Sequence, residues 1–180
     1  MRVKPLFLAM ITCCVLQTAA AEDSRPVVAH KAILTLDNAQ RLLRAAQQTA
    51  QAKGWPCAVA IVDDGGWPIL GARMDGAPVV AGVELAQGKA RTSALFKRPS
   101  GDLENAVNGG RPAALSAGLV MMKGAQPIIV DGQVIGAIGV SADTPAHDDE
   151  IALAALATLS RQATATMLVS RTISEQTPEA

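Results

Sequence analysis

Two apolar runs, each turned back on itself by residues suited to tight turns, constrain this chain more than any other feature. Pro127–Val130 and Gln133–Ser141 flank Asp131–Gly132. Asp-Gly supplies the positive φ values that a two-residue hairpin turn demands. Upstream, Cys57–Val62 is apolar throughout, Asp63–Asp64–Gly65–Gly66 makes a turn, and Trp67–Met74 returns. A short unbroken apolar run bounded by turn residues reads as a strand buried on both faces. Asp63 and Asp64 are read as turn residues, since short acidic side chains bond their own backbone there. They are not read as a hydrolytic carboxylate pair flanking one bond.

Helical spacing fills the intervals between the hairpins. Thr35 is placed to cap a first helix, in which Ala39, Leu42, Leu43, Ala46 and Ala50 share a face and Gly54 and Pro56 form the stop. A second helix is expected from Val79 to Lys97, with Val79, Val83, Ala86, Ala90, Ala94 and Leu95 inward and Pro99 ending it. A short helix follows near Asp102–Val107. Thr144–Pro145 opens the last one, Pro being suited to the first helical position. Asp148, Asp149 and Glu150 lie in its first turn, where the helix dipole favours anions. Ile151, Leu153, Leu156 and Leu159 cannot all face one core at helical spacing, which points to self-association through this helix. Antiparallel hairpins alternating with helices give an α/β fold of the α+β layered kind, not a Rossmann array.

The first 21 residues read as an address. Arg2 and Lys4 precede an apolar run from Leu6 to Leu16, and Ala19, Ala20 and Ala21 follow. That is the order of a secretory signal, with cleavage expected after Ala21. The apolar run is short for a membrane span of about 20 residues. A lipid anchor on Cys13 or Cys14 is the other alternative, but Met-Ile-Thr before Cys13 matches a lipidation box poorly. The expected organisation is a signal peptide at 1–21, a mobile lead-in at 22–33, a single domain at 34–170 and a tail at 171–180. The implied location is periplasmic or secreted, with no stable membrane insertion.

Composition removes several function classes. Lys+Arg and Asp+Glu number 16 each, and aromatic residues make up 2% of the chain. Neither a basic patch nor a stacking platform for nucleic acid is available. Loss of the signal removes Arg2 and Lys4 and leaves Cys57 as the only cysteine, so no internal disulfide can form. Cys57 opens an apolar run and reads as a small buried hydrophobe. The chain has no Gly-x-Ser-x-Gly elbow and no Gly-x-Gly-x-x-Gly or phosphate-cradling loop. No catalytic residue is assigned. Gly132, Gly136 and Gly139 are spaced along one strand, where they permit a bulge or the close approach of another backbone.

The polar candidates for a ligand site are Arg73, Asp75, Lys89 and Arg111. Lys89 falls on an otherwise apolar helix face, so it either snorkels to water, pairs with a carboxylate such as Asp75, or grips an acidic ligand. For metal ligation the candidates are the two histidines, His147 and His30. His147 and Glu150, three apart, share a helix face and offer one nitrogen and one oxygen. His30 belongs to the lead-in.

Several motifs occur in a familiar order. Ile61-Val62-Asp63 with Gly66, Arg73-Met74-Asp75-Gly76-Ala77, and Lys89-Ala90-Arg91-Thr92 with Phe96 come first. Pro127-Ile128, Asp131-Gly132, Gly136-Ala137-Ile138-Gly139-Val140-Ser141 and Asp148-Asp149-Glu150-Ile151-Ala152 follow. From Leu34 to Leu159 the chain resembles the GlcG/HbpS family. The resemblance implies an antiparallel five-stranded sheet packed by helices, a profilin-like outline, and assembly into dimers or larger homo-oligomers. Some relatives bind haem outside the membrane and serve iron or redox sensing. A related domain joined to PduO-type corrinoid adenosyltransferases also binds haem, and other members stand beside carbon-catabolism genes. This chain has Gly124-Ala125-Gln126 where relatives commonly have Gly-Gly before the strand, and Ser141-Ala142-Asp143 where they have Ser-Gly-Gly. It also has no histidine in its first helix.

The leading functional expectation is a haem-binding protein without intrinsic catalysis. Its rivals are an enzyme or binder for a small organic acid, and an oligomeric accessory protein to a sensor or dehydrogenase. Trp55, Trp67 and Phe96 are few for a deep haem pocket, so a shallow site with Met74, Met121, Met122 and Met167 as polarizable walls is expected. His147 is the expected iron ligand, with Asp148 or Asp149 accepting its second ring N–H and Arg73 or Arg111 meeting the propionates. Intact-mass measurement on protein from its native compartment should show a chain of 159 residues beginning at Glu22. A mass retaining all 180 contradicts the export reading.

Overall fold

The computed structural model describes residues 31–159. The signal segment, most of the lead-in including His30, Met167 and the 171–180 tail lie outside them. Helix α1, Leu36–Lys53, begins where Thr35 Oγ1 accepts the Asn38 N–H at 3.3 Å. It ends at Gly54, whose φ of 69° is left-handed. Strands β1, Ala58–Asp63, and β2, Pro68–Arg73, form the first hairpin. Its turn is held by Asp63 Oδ1, which accepts the N–H groups of Gly65 and Trp67. Helices α2, Gly82–Phe96, and α3, Ser100–Asn108, follow. A 3-10 turn at Pro112–Ala117 then leads to β3, Ala125–Val130, and β4, Gln133–Ser141. At the β3–β4 turn Asp131 has φ 48° and Gly132 φ 75°, the left-handed pair expected of Asp-Gly. Helix α4 starts at residue 145 and continues to 159, the last described position.

The strands form one antiparallel sheet in the order β2-β1-β4-β3. The resemblance implied five strands. The described residues form four, and those four are the two hairpins. The stretch between α3 and β3 supplies no further strand because Pro112–Ala117 coils into the 3-10 turn and Gly118, at φ 67°, closes it.

Both sheet faces are covered, which explains the unbroken apolar run of β1. Val59 and Ile61 face one way, into a core with Leu42, Ala46, Ile138, Val140, Ile151 and Ala155. Helices α1 and α4 make that layer. Ala58, Ala60 and Val62 face the other way and pack against Ala86, Ala90 and Ala94 of α2. On the α2 face almost every contacting side chain is a methyl group, so helix and sheet approach closely. The helix therefore starts at Gly82 and not at Val79, with Gly82 set against Ala58 and Ser141. Val83 and Leu95, expected inward, are exposed. The buried face of α2 is chosen by smallness and not by hydrophobic bulk.

The last helix turns Ile151, Ala152 and Ala155 inward and leaves Leu153 half exposed, while Leu156 and Leu159 pack at the core's edge. Of the glycines, Gly139 leaves the least room for a side chain. An alanine Cβ there would overlap the Ala86 carbonyl oxygen and the Ala90 backbone nitrogen. Both neighbours are helix backbone, which cannot yield locally. Gly139→Ala should therefore force α2 off the sheet and lower stability by about 3 kcal/mol. Chemical denaturation checks this, and an unchanged midpoint contradicts the close-packed account.

Candidate functional site

Register brings some of the candidate residues to one end of the sheet. Ala58 lies opposite both Arg73 and Ser141. Trp55–Cys57, Met74–Ala77 and the link from Ala142 to α4 therefore converge where β1 begins. The Met74 N–H bonds the Cys57 carbonyl at 2.9 Å, and the Pro56 ring lies over Gly76.

His147 stands in the first turn of α4. Thr144 caps that turn, its Oγ1 accepting the His147 backbone N–H at 3.2 Å. The imidazole stacks on Trp55 with ring centroids 3.6 Å apart and planes 7° from parallel. Its Nδ1 lies 2.7 Å from Asp143 Oδ1. The hydrogen bond from His147 holds the Asp143 carboxyl below its ordinary value, so the carboxylate is ionised and can only accept. In the neutral imidazole this partner places the ring proton on Nδ1 and leaves the lone pair on Nε2. Among the described residues Nε2 has no hydrogen-bond partner, and the side chain is 29% exposed. The orienting carboxylate expected from sequence is Asp148 or Asp149. Asp143 takes that role, because one helical turn back from His147 lies level with the ring.

Asp148 faces inward instead. Its Oδ2 accepts from Lys89 Nζ at 2.6 Å, and its Oδ1 accepts the Ala142 backbone N–H. Lys89 Nζ also donates to the Val140 carbonyl at 3.2 Å. The Lys89 and Asp148 side chains are 2% and 6% exposed. Burial pushes the Asp148 carboxyl above its ordinary range, and the bonds from Lys89 and Ala142 pull it back. Lys89 is thus neither snorkelling nor free to grip a ligand. Its partner is Asp148 and not Asp75.

The remaining candidates separate. Asp149 accepts from Gln126 Nε2 at 2.6 Å and lies 3.5 Å from Lys123 Nζ. Glu150 pairs with Lys53 at 2.6 Å, so it does not join His147 in a metal site. Lys53 Nζ also lies 4.8 Å from the centre of the Trp55 ring. No group of three or more His, Cys, Asp or Glu is arranged to hold a bare metal ion among the described residues. Arg73 and Asp75 are exposed at the same end as His147, and Arg73 Nη2 donates to the Ala77 carbonyl at 3.3 Å. Arg111 stands on the connection between α3 and the 3-10 turn, exposed, with its backbone N–H on the Ala106 carbonyl. No hydrogen bond or ion pair joins Arg111 to this end among the described residues. Burial, and secondarily Asp148, pushes the Cys57 thiol up to about 12, which leaves it an inert packing group 3.9 Å from Met74 Sδ.

Trp55 and Asp143 were not assigned to the site from sequence. The four-residue spacing of Asp143 and His147 was a usable signal. Trp55 lies 92 positions from His147, and no local pattern could pair them.

What the site can offer is one oriented imidazole, its second ring nitrogen unpartnered among the described residues, beside an aromatic face and an exposed guanidinium. Comparison with known proteins places the chain, though not this arrangement of side chains, among relatives. A family model described as haem degrading protein HbpS-like matches residues 34–157. Protein GlcG of Escherichia coli K12 is 42% identical over 113 residues, which cover 62% of this chain and 83% of GlcG. A doubly substituted HbpS from Streptomyces reticuli has a crystal structure similar to this fold, with TM-score 0.69 and 27% identity over 78% of this chain and 97% of that one. The crystal structure of a PduOC–haem complex gives TM-score 0.64 and 31% identity, over 70% of this chain and 94% of that one.

Proposed function

The chain belongs to the HbpS-like family, and on that premise we propose that it is an exported haem-binding protein serving haem or iron sensing, without catalysis of its own. The observation that carries this reading is His147: an imidazole with Nδ1 committed to Asp143, one face committed to Trp55, and Nε2, unpartnered among the described residues, left to offer an electron pair. A carboxylate on the far nitrogen is the usual second partner of a metal-bound histidine, fixing its tautomer and raising its basicity. The residues present therefore fit a ferric porphyrin better than a bare cation, which needs more protein donors than this end supplies.

In this reading His147 supplies the electron pair, Asp143 orients it and Trp55 keeps the ring from rotating. Arg73, at the same end, is the cation available to a propionate, and Arg111 is not called on. Bound haem supplies an iron whose oxidation state can report the surroundings. The exposure of His147 supports a shallow site. Self-association belongs to the same proposal: an apolar groove of about 550 Å³ between β3 and α4, lined by Ile129, Val130, Leu153 and Leu156, gives the exposed side of α4 a surface to share with a second copy.

Haemin titration of the wild type, His147→Ala, His30→Ala and the double variant under matched conditions tests the proposal. The wild type and His30→Ala should give the same shifted Soret band. His147→Ala and the double variant should lose that band and bind at least about tenfold more weakly. Unchanged spectra and affinity in all the variants remove histidine ligation. A wild type without any Soret shift, but retaining a small carboxylate in native mass spectra, favours the organic-acid reading.

A further inference from the structure

We propose that Lys89 is a positioning residue for His147: by holding Asp148 from below, it fixes the link that carries both His147 and Asp143. This inference rests on the haem reading for its purpose, but not for its geometry.

The pair is an odd choice for stability alone. A buried ion pair loses hydration that its mutual attraction barely restores, and apolar residues of similar volume are often as stable or more so. The buried residues nearest Lys89 along α2 are Ala86, Ala90, Thr92 and Ser93, and both hydroxyls are spent on the carbonyls of Gly88, Val120 and Arg98, so nothing on the helix itself calls for a charge there. Yet the main chain is cut back to admit the charges. Gly124 has φ 121°, and a Cβ there would overlap Asp148 Cβ and lie 3.1 Å from Lys89 Nζ.

The polar contacts of the pair fall on the end of β4 and the start of α4. Lys89 bonds the Val140 carbonyl and Asp148, and Asp148 bonds the Ala142 N–H. Asp148 thus closes residues 142–148 into a loop. Asp143 and His147 lie inside that loop, with their own hydrogen bond four residues apart. An ammonium on Oδ2 leaves Oδ1 aimed at Ala142. Without it the carboxylate is free to turn toward water, and the loop that aligns Asp143 with the imidazole loses its closure. The geometry requires this whether or not a ligand is bound.

The test uses protein carrying His30→Ala, so that every histidine signal arises from His147. Nitrogen NMR on ¹⁵N-histidine-labelled protein without haem reads the ring tautomer, and haemin titration reads the site. The variants are Lys89→Met and Lys89→Met/Asp148→Asn. The second removes both charges and keeps a carbonyl for Ala142, so it covers the case in which the first fails to fold. The parent should show a single Nδ1-protonated tautomer. The folded variants should show mixed tautomers and a haem dissociation constant raised about tenfold. A charge-free variant that folds, keeps the single tautomer and binds haemin like the parent overturns the proposal. A parent with mixed tautomers overturns it as well. If the parent shows one tautomer, the variant mixes them, and neither binds haemin, the positioning role stands and the haem reading falls.

Discussion

The contact between Lys89 and Asp148 joins parts of the molecule that the sheet otherwise keeps apart. Helix α2 lies on one face of the sheet, with Ala58, Ala60 and Ala137 beneath it. Helix α4 lies on the other, with Ile61, Ile138 and Val140. The ammonium reaches past the Val140 carbonyl, at a place opened by Gly124, to a carboxylate in the first turn of α4. Hydrophobic burial holds each helix to its own face without direction. The ion pair adds a directional tie between the layers, and removing one partner would leave a buried charge costing about 3–5 kcal/mol.

From that tie the candidate site follows. Once Asp148 is turned inward, helical geometry places His147 at the surface and Asp143 one turn behind it. The end of α1 then brings Trp55 onto the ring and Lys53 onto both Trp55 and Glu150. Four charged residues that look alike in sequence, from Asp143 to Glu150, are divided by direction. Asp143 serves the imidazole, Asp148 the buried lysine, Asp149 Gln126 and Lys123, and Glu150 the last turn of α1.

Much of the fold was legible because its signals are local. Asp131–Gly132 specifies its turn by backbone conformation, and Thr35 and Thr144–Pro145 specify helix starts by side-chain chemistry. The inward face of α2 was misread at Val83 and Leu95, since a rule that seeks large apolar residues overlooks a helix seated by alanines against Gly139. The fifth strand came from family likeness, whereas the chain's own turn signals supported four. The site was legible only in part. His147 stood out as a residue type and Lys89 as a cation on an apolar face, but their partners are set by packing. Lys89 and Asp148 are 59 residues apart, and β4 must be laid beside β1 before they can meet.

We propose that this end of the sheet presents an oriented imidazole nitrogen to the iron of a bound haem. Resonance Raman spectroscopy of the ferrous haem complex, prepared with and without ¹⁵N-histidine, tests it most directly. The account predicts an iron–imidazole stretching band that shifts with the isotope and moves to lower frequency in Asp143→Asn, where the carboxylate no longer raises the basicity of the ring. A complex whose low-frequency spectrum lacks such a band, or whose band ignores both the label and the substitution, contradicts it.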